Sequence, residues 1–254
     1  MLCTASSWKI LTDFMSEYLA KYIARCGAAA RRKAAELVKN GAAKVNGRVI
    51  TDPAFSVESS RDIVEVAGKR LTPPADNIYI MLNKPRGYTT SHFDKHAEHL
   101  AIELIDCPEA QRLLPAGRLD KDSEGLLIFS NDGNFIQQIT HPRYNVIKRY
   151  KVTASKELDE KCRLRMLNGI KDERDLLKAL KVLPCHGEQF TYFVELNEGK
   201  KREIRRMLKA NGAATLRLQR IAMGKVELGN LPTGKWRNLT PEEVKSLRDS
   251  AVLS

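Results

Sequence analysis

The sequence predicts an α+β protein built of two modules: a small helix-helix-hairpin module over residues 15–72 and a larger module with a mixed or antiparallel sheet over 78–254, joined by a linker at 73–77. Three observations carry that expectation. Apolar residues recur twice at helical spacing and then give way to short β-branched runs around Asn46-Gly47. Pro73-Pro74 in "LTPPADN" forbid a continuing helix or central strand there. Beyond them the pattern restarts as short strand-like and helical segments, without internal repeats.

In the first module Leu19, Tyr22 and Ile23 mark a short helix, with Gly27 as its left-handed stop. Ala34, Ala35, Leu37 and Val38 form the apolar side of a second helix ending at Asn40-Gly41, which leaves Arg31, Arg32, Lys33 and Lys39 outside. "KVNGRVI" then places Asn46-Gly47 between two β-branched runs, the pattern of a two-residue hairpin turn, flanked by Lys44 and Arg48.

In the second module Ile78–Leu82 reads as a buried strand, "NKPRGY" as a turn, and Leu126–Phe129 as another buried strand bounded by Asn131-Asp132-Gly133. "RYKVTA" and "FTYFVEL" alternate like half-buried strands, and "REIRRMLKANG" is a basic helix that stops at Gly212. Residues 1–14 fall outside the pattern and are expected to form a disordered extension.

The 254 residues are 43% hydrophobic, enough for a real core, and no stretch approaches the roughly 18 apolar residues of a membrane span. Five scattered cysteines without a CxxC argue against a disulfide framework or a zinc finger, so a reducing, cytoplasmic setting is expected. Forty-three Lys and Arg against 31 Asp and Glu give a net charge of +12, which suggests a polyanionic partner. His92, His96 and His99 have metal-like spacing but sit in a polar loop leading towards a helix, and "GNLPTGKW" lacks the Ser/Thr of a phosphate loop; neither is assigned a site.

"GRLDKDSEGLLIFSNDG" (117–133) sets Arg118, Asp120, Lys121, Asp122 and Glu124 directly before a run that wants burial. Asp120, in a glycine-flanked loop leading into that run, is placed to be fixed at a cleft floor; for the segment alone, a turn or cap aspartate is the plainer reading.

The wider segment "LPAGRLDKDSEGLLIFSNDG" resembles the signature of pseudouridine synthases, nearest to the RsuA/RluB/RluE/RluF group that modifies ribosomal RNA, with Ser123 in place of Thr and Ser130 before Asn131. "LNKPRG" (82–87) resembles the first motif of that family, "HPRYNVIKRYKV" (141–152) its tyrosine motif and "EGKKREIRRMLKANG" (198–212) its arginine motif. Together with "RLQRIAMGKVELGNLPTGKWRNLTPEEV" the resemblance runs from Leu19 to Leu247. Glu203 departs from it, standing where many members carry Gln. "GAAARRKAAELVKNGAAKVNGRVI" is similar to the S-four domain, a small RNA-binding module, and departs at Ala30, where that family usually places a capping Ser.

The resemblance implies an isomerisation that moves ribose C1′ from N1 to C5 of uracil, with no net redox change or hydrolysis and so no metal or organic cofactor. It implies Asp120 as nucleophile or base, Arg205 as the cation that keeps it charged, and Tyr150 as the aromatic that stacks on the base, while Arg206 is expected to be a solvated helix arginine. Leu216 or Leu218 is expected to form the apolar wall. Arg31, Arg32, Lys33, Lys39, Lys44 and Arg48 in the first module, and Lys200, Lys201 and Arg202 in the second, are expected to grip RNA phosphates. The expected partner of the monomeric chain is ribosomal RNA, large-subunit first and small-subunit second. The rivals are an enzyme acting on transfer RNA and a non-catalytic assembly factor; the latter has no need of a carboxylate near phosphates.

Overall fold

The computed structural model describes residues 16–251 apart from 75, 92–97, 173 and 174. The chain divides between Asn77 and Ile78 into two compact units. Residues 1–15, His92 and His96 lie outside the described residues. No described helix is long and apolar enough to cross a membrane.

In the first unit, helices Leu19–Arg25 and Arg31–Lys39 share a core with the strands through Leu19, Tyr22, Ile23, Ala34 and Val38 on the helices and Ala43, Val45, Val64 and Val66 on a four-stranded sheet. The hairpin between Ala43–Val45 and Arg48–Ile50 turns with both Asn46 (φ 50) and Gly47 (φ 80) left-handed, as a primed turn demands. The Asn46 side chain also donates to Asp62 (2.9 Å) and accepts from the Ile63 N–H (2.9 Å). Ala30 is the N-cap of the second helix and offers no side-chain oxygen to its orphan N–H groups.

The second unit is built on a nine-stranded mixed sheet. Its main path runs Lys181–Pro184, Thr191–Leu196, Lys148–Ala154, Thr215–Met223, Glu124–Ser130, Tyr79–Lys84, Trp236–Asn238. All pairings along that path are antiparallel but one: Gln219 and Arg220 run parallel to Glu124 and Gly125. Strand Glu124–Ser130 is buried on both faces, which explains its unbroken apolar run. Leu127 and Phe129 join one core, with helices Glu160–Asn168 and Glu203–Ala210. Leu126 and Ile128 join the opposite core, with helices Gly133–Thr140 and Pro241–Asp249.

Two boundaries differ from the sequence reading. The strand expected at 78–82 runs Tyr79–Lys84, so Asn83 and Lys84 are buried strand residues rather than turn residues. Their donors are met internally: the Asn83 amide nitrogen donates to the Leu231 carbonyl (2.7 Å), and Lys84 donates to the carbonyls of Pro85 (2.9 Å) and Ser123 (2.7 Å), while Asn83 Oδ1 is buried without a partner. The helix expected after the histidine loop is a single 3-10 turn, Ala101–Leu104.

Candidate active site

The segment that carries Asp120 is held by its carbonyls. Leu119 O accepts from the Thr90 hydroxyl (2.9 Å), Asp120 O from the Ser123 N–H (3.0 Å), and Lys121 O from the Gly87 N–H (2.8 Å). Asp122 O accepts from Arg205 Nη2 (3.1 Å) and Ser123 O from Lys84 Nζ (2.7 Å). These consecutive acceptors are satisfied from three places, namely the loop itself, residues 84–90 and helix Glu203–Ala210, which leaves the loop little freedom. Asp120 does head a turn, as its segment alone suggests, but the turn is clamped from several sides.

Just beyond it the chain enters the parallel pairing. Gly125 (φ 101) lies so close to the neighbouring strand that a Cβ there would sit 2.3 Å from the Arg220 carbonyl oxygen. Arg220 Nε in turn donates to Leu126 O (2.7 Å).

Asp120 opens onto a cavity of about 480 Å³, within the usual range for a small-ligand site. Arg118, Tyr150, Leu196, Arg202 and Leu218 also line it. Asp120 Oδ2 faces Arg202 Nη1 at 3.9 Å and Arg205 Nε at 4.0 Å. These are ion pairs at the outer limit of contact, so the carboxylate is flanked by cations without being consumed by them. Arg205 is largely buried, and burial followed by the nearby Arg202 pushes its guanidinium below the ordinary value. Tyr150 is buried and contributes to the cavity wall.

Helix Glu203–Ala210 starts at this cavity from Arg202, which is left-handed (φ 52). The buried Glu203 accepts the Lys200 N–H at 2.9 Å through Oε2, while its Oε1 has no hydrogen-bond partner. Burial pushes the Glu203 carboxyl above the ordinary carboxylate range.

Asp120, Tyr150, Arg205 and Leu218 are therefore brought together, whereas two other sequence expectations, at Leu216 and Arg206, are corrected. Leu216 is 55% exposed and does not line the cavity, although it shares a strand with Leu218. Arg206 is not a free solvated side chain: its Nε and Nη1 donate to Asp172 and Asp175 at 2.7 Å each, tying the paired strands Ile170–Asp172 and Asp175–Leu177 to the helix. Lys200 is engaged by Glu198 and by the Leu176 carbonyl (2.8 Å), and Arg202 faces Asp120 and Asp122 beside the cavity. Lys201 is exposed, as are Arg31, Arg32, Lys33, Lys39, Lys44 and Arg48 in the first unit, where Lys33 is paired with Glu36.

Sequence reasoning missed Lys84, Thr90, Lys148 and Arg220. The signal for Lys84 is a lysine directly continuing an apolar strand; Thr90 and Arg220 carry none, since their roles depend on partners 29 and 94 residues away. Of the histidine trio only His99 lies among the described residues, where it packs on Tyr88 at 5.2 Å between ring centroids. Trp236 of "GNLPTGKW" donates to Asp106 (2.7 Å).

A carboxylate held by its loop and flanked by two arginines, in a cavity walled by Tyr150 and Leu218, is an arrangement able to support nucleophilic or acid-base chemistry. The comparisons agree with that class. The RNA pseudouridylate synthase model matches residues 78–210 and the S4 domain model residues 19–64, and the chain belongs to the RNA pseudouridylate synthase family. A ribosomal large subunit pseudouridine synthase B of Bacillus subtilis (strain 168) is 38% identical over 91% of this chain and 96% of its own length. A ribosomal small subunit pseudouridine synthase A of Vibrio vulnificus (strain CMCP6) is 30% identical over 90% of this chain and 98% of its own. A crystal structure of a pseudouridylate synthase superposes with a TM-score of 0.66 at 28% identity, covering 91% of this chain and 99% of that one.

Proposed function

We propose that this enzyme isomerises uridine to pseudouridine in large-subunit ribosomal RNA, with Asp120 as nucleophile or base and no cofactor. The observation that carries the reading is Asp120 itself, fixed by its loop and facing Arg202 and Arg205 beside Tyr150. Its anchored backbone supplies the positioning that makes one carboxylate effective. Arg205 and Arg202 stand beside it as cations, and Tyr150 offers a face on which an extruded uracil stacks, offsetting part of the few kcal/mol that unstacking costs.

Attack of Asp120 on C1′, or proton removal that yields a glycal, releases the base from N1; the base then turns and rejoins C1′ through C5. Both routes need the same ionised carboxylate at the sugar. The exposed cations of the first unit hold RNA by its phosphates and keep the substrate at high effective concentration. One chain suffices, because all of the named site residues come from it. The choice of large-subunit RNA rests on the 38% identity to the Bacillus subtilis large-subunit enzyme, against 30% to the Vibrio vulnificus small-subunit one, although the Vibrio large-subunit enzymes stand at 29%.

The test is to incubate the purified protein with unmodified transcripts of large- and small-subunit ribosomal RNA and to map carbodiimide adducts of pseudouridine by reverse-transcription stops. New stops confined to the large-subunit transcript are expected. Stops in the small-subunit transcript alone would overturn the choice of substrate, and stops in neither would overturn ribosomal RNA as the target.

A further inference from the structure

Among the described residues three cations are buried: Lys84 (0% exposed), Arg220 (3%) and Lys148 (6%). None has a described carboxylate within 4.0 Å. Their hydrogen bonds go to neutral carbonyls: Lys84 to Pro85 and Ser123, Lys148 to Asn197 (3.2 Å), Arg220 to Leu126. One guanidinium nitrogen of Arg220, Nη2, is buried without any hydrogen-bond partner. A cation taken out of water without an anion against it costs several kcal/mol, so a fold that keeps three of them together has a use for the potential they create.

Register places that potential. Arg220 lies directly across from Tyr150, two residues along its strand from Leu218; Lys148 lies two residues from Tyr150 and across from Leu196. Alternate residues share a face, so Arg220 and Lys148 stand on the side of the sheet from which Tyr150, Leu196 and Leu218 line the cavity. Asp120, Glu124 and Asp122 face Lys84, Glu203 and Glu198 face Lys148, and Arg220 repels both lysines. Lys84 has a structural duty in holding the Asp120 loop; Arg220 keeps a spare donor.

In the reaction argued above, on which this inference rests, the C1′–N1 bond breaks with its electron pair leaving on the ring. The product of that step is a uracil anion, with charge spread over N1, O2 and O4. It is consumed when C5 bonds to C1′, after which C5 gives up its proton and N1 acquires one. Bound uridine and product are both neutral, so a fixed cation near the base lowers the energy of this intermediate and of the transition states around it more than that of the substrate.

We propose that Arg220, supported by Lys148, stabilises the uracil anion through the wall formed by Tyr150 and Leu218. It touches no reacting atom, so it is a positioning residue for charge rather than a catalytic one. Loss of its charge then slows bond cleavage without weakening RNA binding, and a base that bears negative charge more easily depends on it less.

The experiment measures single-turnover consumption of the N-glycosidic nucleoside, by nuclease digestion and chromatography, in ribosomal RNA carrying uridine or 5-fluorouridine at the target position. Fluorine withdraws electrons and stabilises the ring anion. Arg220→Met is expected to lower the saturated rate on uridine on the order of 10²-fold, with RNA affinity within about twofold of wild type. On 5-fluorouridine the deficit shrinks about tenfold relative to that on uridine, as expected when the residue acts on leaving-group charge. Arg220→Lys restores most of the rate on both. Should Arg220→Met not fold, Arg220→Gln and Lys148→Gln are compared on the same two substrates, with the same narrowing expected. Equal deficits on both substrates, or an Arg220→Lys variant no better than the uncharged one, would mean a purely structural role and overturn the inference. A wild type inert on uridine would instead overturn the functional reading, and the inference with it.

Discussion

The two units handle positive charge in opposite ways. In the first, Arg31, Arg32, Lys39, Lys44 and Arg48 stand on exposed surface, in solvent that screens them. In the second, Lys84, Lys148 and Arg220 are buried, and Arg205, which faces Asp120, is nearly so. Exposed cations act on a polyanion through many weak, salt-sensitive contacts, which suits holding RNA. Buried ones act strongly and at short range, which suits chemistry on a single nucleotide. Net charge alone therefore says little about function; its depth decides what it does.

That contrast fails or sharpens under substitution. The largest effect is expected at Arg205: Arg205→Met removes the clamp on Asp122 O and a cation facing Asp120, and the single-turnover rate should fall roughly 10²- to 10³-fold with RNA affinity little changed. A rate within a few-fold of wild type would put the burden on Arg202 instead. In the first unit, changing Arg31, Arg32, Lys44 and Arg48 together to Gln should leave the saturated rate in place. RNA binding should weaken, with the salt dependence of log K shallower by about 3 if all four neutralise phosphates. Binding titrations across a salt series check this, and an unchanged slope would remove the first unit from the interface.

Smaller effects concern stability. Because the folded state raises the Glu203 carboxyl above its unfolded value, ionisation is penalised in the fold, and the penalty grows as pH rises from the ordinary carboxylate range through the raised value. Glu203→Gln lacks that penalty and can still accept the Lys200 N–H. Its urea midpoint should exceed that of wild type at neutral pH, and the gain should fade in acid. A gain independent of pH would show that ionisation is not its cause. Smallest is Ala30→Ser, which supplies the missing helix cap and should stabilise the first unit by about 0.5–1 kcal/mol in urea unfolding.

Local chemistry was legible in the sequence where it is local in the chain. Helical spacing, the Asn46-Gly47 turn and the Gly212 stop depend on a few adjacent residues, and the ordered motifs around Asp120, Tyr150 and Arg205 carried the site. Lys84 was hidden because Pro85 made its neighbourhood look like a turn, while its ammonium is satisfied by a carbonyl 39 residues away. Arg206 looked solvated because its partners, Asp172 and Asp175, arrive from strands 34 and 31 residues earlier. Leu216 and Leu218 were indistinguishable by type, and only the structure separates the exposed one from the one lining the cavity. Gly125 reads as an ordinary strand glycine until Arg220 is placed against it.

The most direct test of the account is tritium release from ribosomal RNA labelled at uridine C5, comparing wild type with Asp120→Asn at equal RNA occupancy. Release by the wild type, with a loss on the order of 10⁴-fold or more in the variant, is the predicted result, the scale of removing a covalent nucleophile. Release that persists in Asp120→Asn within about tenfold of wild type would contradict the central claim that this one carboxylate performs the chemistry.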